Sequence, residues 1–205
     1  RDANVSNGSG YDEYLLSVVG DGSLDIEGCN VHGNKGINLD VSRFFHRNST
    51  ELNTNNSTIT TTDVAVNAKG QAVHKSGQMY PEFTIAFGQG TQIISDTTAV
   101  KSKTVKVLLS GASITGKTCI DTNFAIDLDQ RAVLNSVKPQ GDETTEENAA
   151  IIINGPENSN GRTAYFEDNE SSLVSSDYDY AVILKGNIGS FVVKHGWSNI
   201  HSMSN

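Results

Sequence analysis

The chain has 205 residues and a formal net charge of −9, and Ser, Thr and Asn together fill 59 of its positions. The 15 basic residues are scattered and outnumbered by 24 acidic ones, which argues against nucleic acid or anionic lipid as a partner, because both need a basic face. The apolar runs are too short to insert into a membrane. The chain opens on Arg1 rather than on methionine, and we interpret it as a mature form whose export signal has been removed.

Thirteen short segments follow one another along the chain, most of them bounded by Gly, Asn, Asp or Ser and rich in Val, Ile, Thr and Phe. This composition predicts β-strands. The predicted strands are 14–19, 24–31, 37–45, 59–68, 82–87, 91–94, 104–110, 119–128, 132–137, 149–153, 162–167, 180–185 and 190–194. The best helix candidate, 142–150, is short and is interrupted by two threonines.

Apolar and polar residues alternate in several of these segments, most clearly over 119–128. Such alternation indicates a half-buried strand with one solvated face. About a dozen short strands separated by turns predict an all-β fold, an antiparallel β-sandwich or jelly roll with few or no helices. We expect residues 21–205 to form this single domain and residues 1–20 to be an N-terminal segment. No internal repeat of fixed period is visible.

Two features favour an extracellular or cell-surface glycoprotein. Cys29 and Cys119 are the only cysteines, and a disulfide between them would close a long loop and stabilise the fold by about 4 kcal/mol. The alternative is two unpaired, buried thiols. Six Asn-x-Ser/Thr sequons are candidate glycosylation sites, and they begin at Asn4, Asn7, Asn48, Asn55, Asn56 and Asn169.

The segment Gly111–Thr118 fits the phosphate-loop pattern G-x-x-x-x-G-K-[ST]. In a nucleotide-binding loop, Lys117 would reach the terminal phosphates and Thr118 would hold magnesium. A helix must follow such a loop, whereas the segment that follows here alternates like a strand. We therefore interpret the match as a coincidence and expect a hairpin turn between two antiparallel strands.

No set of residues has the spacing that would predict a catalytic site or a metal centre. The histidines lack metal-ligand spacing, and they are His32, His46, His74, His195 and His201. Calcium is the one cofactor that the carboxylates suggest, through Asp127 with Asp129, Asp177 with Asp179, and Asp21 with Asp25. The same pairs are candidates for the acid and nucleophile of a polysaccharide hydrolase. The preferred interpretation is that they lie on solvated strand faces and in turns.

The first apolar run offers the leading functional hypothesis. It is a candidate donor strand for a neighbouring copy, through Tyr14, Leu15, Leu16, Val18 and Val19. The predicted function is a structural subunit of an extracellular filament or pilus-like appendage that self-assembles by β-strand addition, without enzymatic activity. The first alternative is an adhesin that binds surface glycans through Tyr178, Tyr180 and Trp197. The second is the polysaccharide hydrolase.

Overall fold

The computed structural model describes residues 3–6, 13–20, 23–41, 49–70, 83–143, 147–155, 164–170, 172–193 and 199–202. Within these ranges all the regular elements are β-strands. The same ranges contain no helix of the length and hydropathy needed to cross a membrane.

The described strands belong to three sheets, which we name A, B and C. Sheet A has eight strands: β1 (Ala3–Ser6), β4 (Cys29–Gly33), β7 (Thr58–Thr61), β10 (Gln92–Ser95), β13 (Ser113–Gly116), β16 (Val133–Ser136), β19 (Leu173–Ser176) and β22 (Asn199–Ser202). Sheet B has seven: β2 (Tyr14–Val19), β5 (Lys35–Val41), β8 (Val66–Gly70), β11 (Thr98–Lys103), β14 (Thr118–Thr122), β17 (Ile151–Asn154) and β20 (Val182–Lys185). Sheet C also has seven: β3 (Leu24–Glu27), β6 (Ser49–Asn55), β9 (Phe83–Phe87), β12 (Lys106–Ser110), β15 (Ala125–Asp129), β18 (Ala164–Asp168) and β21 (Ile188–Val193).

The strand order shows how the chain runs through these sheets. Each strand pairs in parallel with the strand three places further along the chain, as β1 does with β4 and β4 with β7. The chain therefore passes through sheets A, B and C in turn and returns to sheet A one coil further on. This architecture is a parallel β-solenoid, in which each coil contacts mainly the coil before it and the coil after it.

Inward-facing side chains of successive coils stack into apolar ladders along the solenoid axis. In sheet A the strand registers align six almost completely buried residues, Val31, Ile59, Ile93, Ile114, Leu134 and Val174. Sheet C aligns a second ladder, Leu52, Ile85, Val107, Ile126 and Phe166. Full burial of one such side chain stabilises by about 1.5–3 kcal/mol, so these ladders form the hydrophobic core.

The turn from sheet A into sheet B brings the backbones of two coils into close approach at Gly36. A Cβ atom at this position would lie 2.3 Å from the carbonyl oxygen of Ala65 in the next coil. The Gly36 N–H donates a hydrogen bond to the Val64 carbonyl oxygen at 3.1 Å. Glycine is therefore required here because the next coil occupies the space of a side chain.

The chain is all-β, but the predicted antiparallel β-sandwich or jelly roll is wrong, because all the described strand pairs are parallel. Parallel neighbours need a long crossover connection, and here the other two strands of the same coil supply it. The expected hairpin at Gly111–Thr118 is wrong for the same reason. That segment contains β13 of sheet A and the turn that leads into β14 of sheet B.

The predicted disulfide is also absent, since Cys29 and Cys119 are both free thiols. Cys29 lies in β4 of the second coil, whereas Cys119 lies in β14 of the fifth coil. Neighbouring strands are about 4.8 Å apart, so three coils separate the two residues by about 14 Å along the axis. A disulfide allows a Cα–Cα distance of only about 4.4–6.8 Å.

The described strands of the predicted N-terminal segment, residues 1–20, belong to the same sheets as the strands of the predicted domain, residues 21–205. β1 and β2, which fall within residues 1–20, pair with β4 and β5 of the following coil. The described part of the helix candidate 142–150 contains no helix, and residues 144–146 lie outside the described ranges.

Candidate functional site

The three sheets of the solenoid differ in charge. The described strands of sheet A contain no Lys, Arg, Asp or Glu. Those of sheet B contain five lysines and two aspartates, and those of sheet C contain seven acidic residues and one lysine. A chain of net charge −9 thus carries a net positive sheet beside a strongly negative one.

A shallow groove of about 340 Å³ lies on the outer face of sheet B, and we name it the sheet B groove. Its lining comes from four neighbouring strands and the turn after β14. The lining residues are Asn67, Lys101, Ser102, Lys103, Asp121, Thr122, Asn123 and Asn154. The register places Lys101 between Asn67 on one side and Asp121 on the other. The groove therefore combines two exposed cations with three amide groups and one carboxylate.

Hydrogen bonds fix the orientation of the polar side chains in the sheet B groove. Asn154 donates through Nδ2 to Asp121 Oδ1 at 2.8 Å, and Asn67 donates through Nδ2 to Asn38 Oδ1 at 2.8 Å. Asn123 Oδ1 accepts the Thr104 backbone N–H at 2.7 Å. Each of these bonds uses one side of an amide, which leaves the Oδ1 atoms of Asn67 and Asn154 and the Nδ2 atom of Asn123 to face a ligand.

Electrostatics in the sheet B groove centre on Asp121. Burial raises the pKa of this carboxyl group, and the opposing influences are the charge of Lys101 and the hydrogen bond from Asn154. The carboxylate is therefore partly desolvated. A hydroxyl group of a ligand could donate to it a hydrogen bond that water, partly excluded by burial, does not supply.

The outer face of sheet C has a second cluster of charged groups. Lys106 Nζ lies 2.5 Å from Asp127 Oδ2, and Asp127 Oδ1 is buried without a hydrogen-bond partner among the described residues. Burial raises the pKa of Asp127, the contact with Lys106 opposes this, and the negative charges of Glu167 and Asp129 add to the rise. Of the predicted carboxylate pairs, Asp127 and Asp129 are thus the pair placed on one strand face beside a cation.

The other carboxylate pairs are not brought into a site. Asp177 and Asp179 are exposed in the turn after β19, Asp25 is exposed in β3, and Asp21 lies outside the described residues. In the part of the chain that the structure describes, no group of three or more His, Cys, Asp or Glu side chains is arranged to hold a metal ion. His32 and His201 lie in β4 and β22, and His46, His74 and His195 lie outside the described ranges.

Along the described residues, β1, β2 and β3 have a paired strand on one side only, and so have β20, β21 and β22 at the other end. The candidate donor segment is β2, where Leu16 and Val18 pair with the core residues Ile37 and Leu39. Tyr14 lies under the Lys35 ammonium group, 5.9 Å from the ring centroid, while Leu15 is partly buried and Val19 is 72% exposed.

At the last described coil, two side chains of the core ladders are partly exposed. Phe191 continues the sheet C ladder and stacks on Phe166, with ring centroids 4.4 Å apart, but it is 38% exposed. Leu184 continues a sheet B ladder and is 44% exposed. These side chains face the same interior as their buried neighbours, and they are exposed because no further described coil lies on them.

The predicted glycan-contact residues have different environments. Tyr178 is fully buried, and its hydroxyl donates to Asp142 Oδ2 at 3.1 Å, so its ring is not available to stack on a sugar. Tyr180 is exposed, and Trp197 lies outside the described residues. The phosphate-loop lysine, Lys117, forms an ion pair of 3.0 Å with the same Asp142 oxygen. Lys117 therefore helps to hold the loop after β16 against the solenoid.

The asparagines of the predicted glycosylation sequons differ in exposure. Asn4 and Asn56 are exposed, Asn55 and Asn169 are half-buried, and Asn7 and Asn48 lie outside the described ranges. Asn4 Oδ1 accepts a hydrogen bond from Asn30 Nδ2 at 3.1 Å. Glycosylation of these residues stays a prediction.

Comparison of the chain with protein-family models, with curated proteins and with solved structures finds no match. The assignment of function therefore depends on the geometry of the ends and faces of the solenoid.

Sequence reasoning missed the sheet B groove. Its lysines, asparagines and aspartate come from segments that are far apart in the sequence, and only the stacking of coils brings them together. The sequence pattern that could have indicated the groove is a polar residue between two buried ones. It recurs in Val66-Asn67-Ala68 and Val100-Lys101-Ser102, which are paired in register.

Proposed function

We propose that the chain is a structural subunit of an extracellular or cell-surface filament, in which copies stack end to end. The observation that carries this proposal is made at the last described coil, where ladder residues that are buried in other coils are exposed. Phe166 is 0% exposed, whereas Phe191, one coil further on, is 38% exposed. A second copy seated on this end would cover Phe191 and Leu184 and extend the sheets.

The two ends are suited to each other because a solenoid presents the same kind of surface at both. The amino-terminal end has the open edges of β1, β2 and β3, and the partly buried ladder residues Leu16, Val18 and Leu24. An edge strand that meets another edge strand gains main-chain hydrogen bonds, as in β-augmentation. Contact between two different ends of identical subunits is heterologous and produces an open filament rather than a closed dimer.

This arrangement modifies the role of the donor segment. β2 already pairs with β5 in its own chain through one edge. It therefore contributes its other edge to a neighbouring copy and does not leave its own fold. The extracellular setting is part of the same proposal, and the exposed sequon residues Asn4 and Asn56 support it.

The test replaces the exposed ladder residues with charged ones. We expect wild-type chain to form species whose mass grows with concentration in sedimentation velocity experiments. Leu184→Lys with Phe191→Lys should weaken association by about tenfold or more, because burial of each side chain is worth about 1.5–3 kcal/mol. Ile94→Lys is the matched control, since Ile94 is 37% exposed but faces outwards from the middle of sheet A.

The control should associate like the wild type. A wild-type chain that stays monomeric at every attainable concentration contradicts the proposal, and so does equal weakening by Ile94→Lys. Circular dichroism of each variant establishes that loss of association does not reflect loss of folding.

A further inference from the structure

We propose that the sheet B groove binds an acidic oligosaccharide, a short chain of sugars that carry carboxylate groups. This inference goes beyond end-to-end assembly, because the groove lies on the flank of the solenoid and uses none of the residues at its ends. It stands on the chemistry of the lining and on the segregation of charge between the sheets.

The first step is the placement of the two cations. Lys101 and Lys103 are two residues apart on β11, so both side chains point to the outer face and lie about 7 Å apart along the strand. Both are exposed. Lys69, the in-register neighbour of Lys103 on β8, is engaged with Asp40 at 3.5 Å. Lys101 and Lys103 both line the groove and are positioned to receive an anionic group.

The second step is the supply of neutral hydrogen-bonding groups. The Oδ1 atoms of Asn67 and Asn154 accept no further hydrogen bond from the described residues, and Asn123 Nδ2 donates none. The remaining oxygen of Asp121, on a partly desolvated carboxylate, is a further acceptor. Sugars present many hydroxyl groups that donate and accept, so this mixture of amides, one carboxylate and two ammonium groups matches a sugar acid.

The third step is the shape of the groove. β8, β11, β14 and β17 each contribute to the lining, and three strand spacings of about 4.8 Å give a length of about 14 Å along the axis. This length suits a short linear oligomer better than a single small ion. Nucleic acid is the less suitable polyanion, because the residues that line the groove include two lysines and no aromatic ring on which a base could stack.

The experiment is calorimetric titration of the full chain with an oligogalacturonate, compared with the same oligomer after methyl esterification of its carboxylates. We expect the acid form to bind and the ester to bind at least about tenfold more weakly, because each charge-assisted hydrogen bond contributes substantially to affinity. Lys101→Gln with Lys103→Gln should weaken binding of the acid form to a similar degree. Lys35→Gln is the matched control, since Lys35 belongs to the same sheet but does not line the groove, and it should change affinity less than about twofold.

Several results would overturn the inference. These are no binding of the acid form by the wild-type chain, equal binding of acid and ester, or equal effects of the Lys35 and Lys101/Lys103 substitutions. A single-stranded oligonucleotide of the same charge that binds as tightly as the oligogalacturonate would show that the lysines respond to charge alone, which also contradicts a saccharide site.

Discussion

Phe166 and Phe191 are in-register neighbours in one ladder, yet the first is completely buried and the second is 38% exposed. Both face the interior, and both have an aromatic ring stacked on one side. The difference between them is whether another coil lies on the other side. In a solenoid, the apolar side chains of a strand are therefore buried by the neighbouring coils. Side chains in the first and last described coils have a neighbour on one side only, so they are more exposed than those in the middle.

The largest effect should come from removing the two rings in turn. Phe166→Ala should lower the free energy of unfolding by about 3–5 kcal/mol, because it leaves a cavity between two coils. Phe191→Ala should cost about 1 kcal/mol, since solvent already reaches part of the ring. Chemical denaturation of both variants under conditions where the chain is monomeric measures the difference. Equal losses would show that the last coil is as well covered as the middle.

A second contrast concerns two glycines. A Cβ atom at Gly36 would meet the Ala65 carbonyl oxygen of the next coil at 2.3 Å, whereas a Cβ atom at Gly20, at the end of β2 in the first coil, would meet nothing within 4 Å. Gly36→Ala should therefore cost about 2–3 kcal/mol through overpacking. Gly20→Ala should cost about 1 kcal/mol, because its φ of +88° disfavours a side chain. Denaturation midpoints that follow the opposite order would contradict the close stacking of the second and third coils.

The two cysteines test the same contrast with a chemical probe. Cys119, in the fifth coil, is fully buried, and burial raises the pKa of its thiol, whereas Cys29 is partly exposed. We expect one thiol per chain to react with an aromatic disulfide reagent in native buffer and the second to react only in denaturant. Cys29→Ser should abolish the native-state reaction. If neither cysteine reacts until a reductant is added, the two form a disulfide, and this result would contradict the spacing of the coils.

The smallest effect concerns pH. Burial raises the pKa of Asp121 above its value in the unfolded chain, so the folded state holds a proton more readily at mildly acidic pH. The carboxylate thus destabilises the fold at neutral pH, and this penalty is relieved as the pH falls through the raised value. Asp121→Asn should be as stable as the wild type or slightly more stable at pH 7, with the difference shrinking in acid. A variant that is less stable at pH 7 would contradict the desolvation argument.

The sequence was sufficient to predict extended strands, but not how they pair. The predicted strand 24–31 is in fact β3 and β4, which are separated by a turn at Gly28 with a φ of +62°. Similarly, the alternating segment 119–128 contains parts of β14 and β15, which lie in different sheets. Alternation continues across these turns because both strands bury every second residue in the same core, so the pattern does not reveal the corner.

The repeat escaped notice because the coils differ in length. Gln92 pairs with Ser113, so that one coil takes 21 residues, whereas Val133 pairs with Leu173, so that another takes 40. Part of the extra length lies in the described segment after β16, where Asp142 is held against Lys117. A fixed period is lost under such insertions even though the strand register is maintained.

Fibre diffraction from concentrated wild-type chain tests the central claim most directly. Solenoids stacked end to end have their strands across the filament, so we predict unbranched filaments with a reflection at about 4.8 Å along the filament axis. The Leu184→Lys and Phe191→Lys double variant should give no filaments. Filaments whose 4.8 Å repeat lies across the axis, or monomeric particles at the highest attainable concentration, would contradict the account.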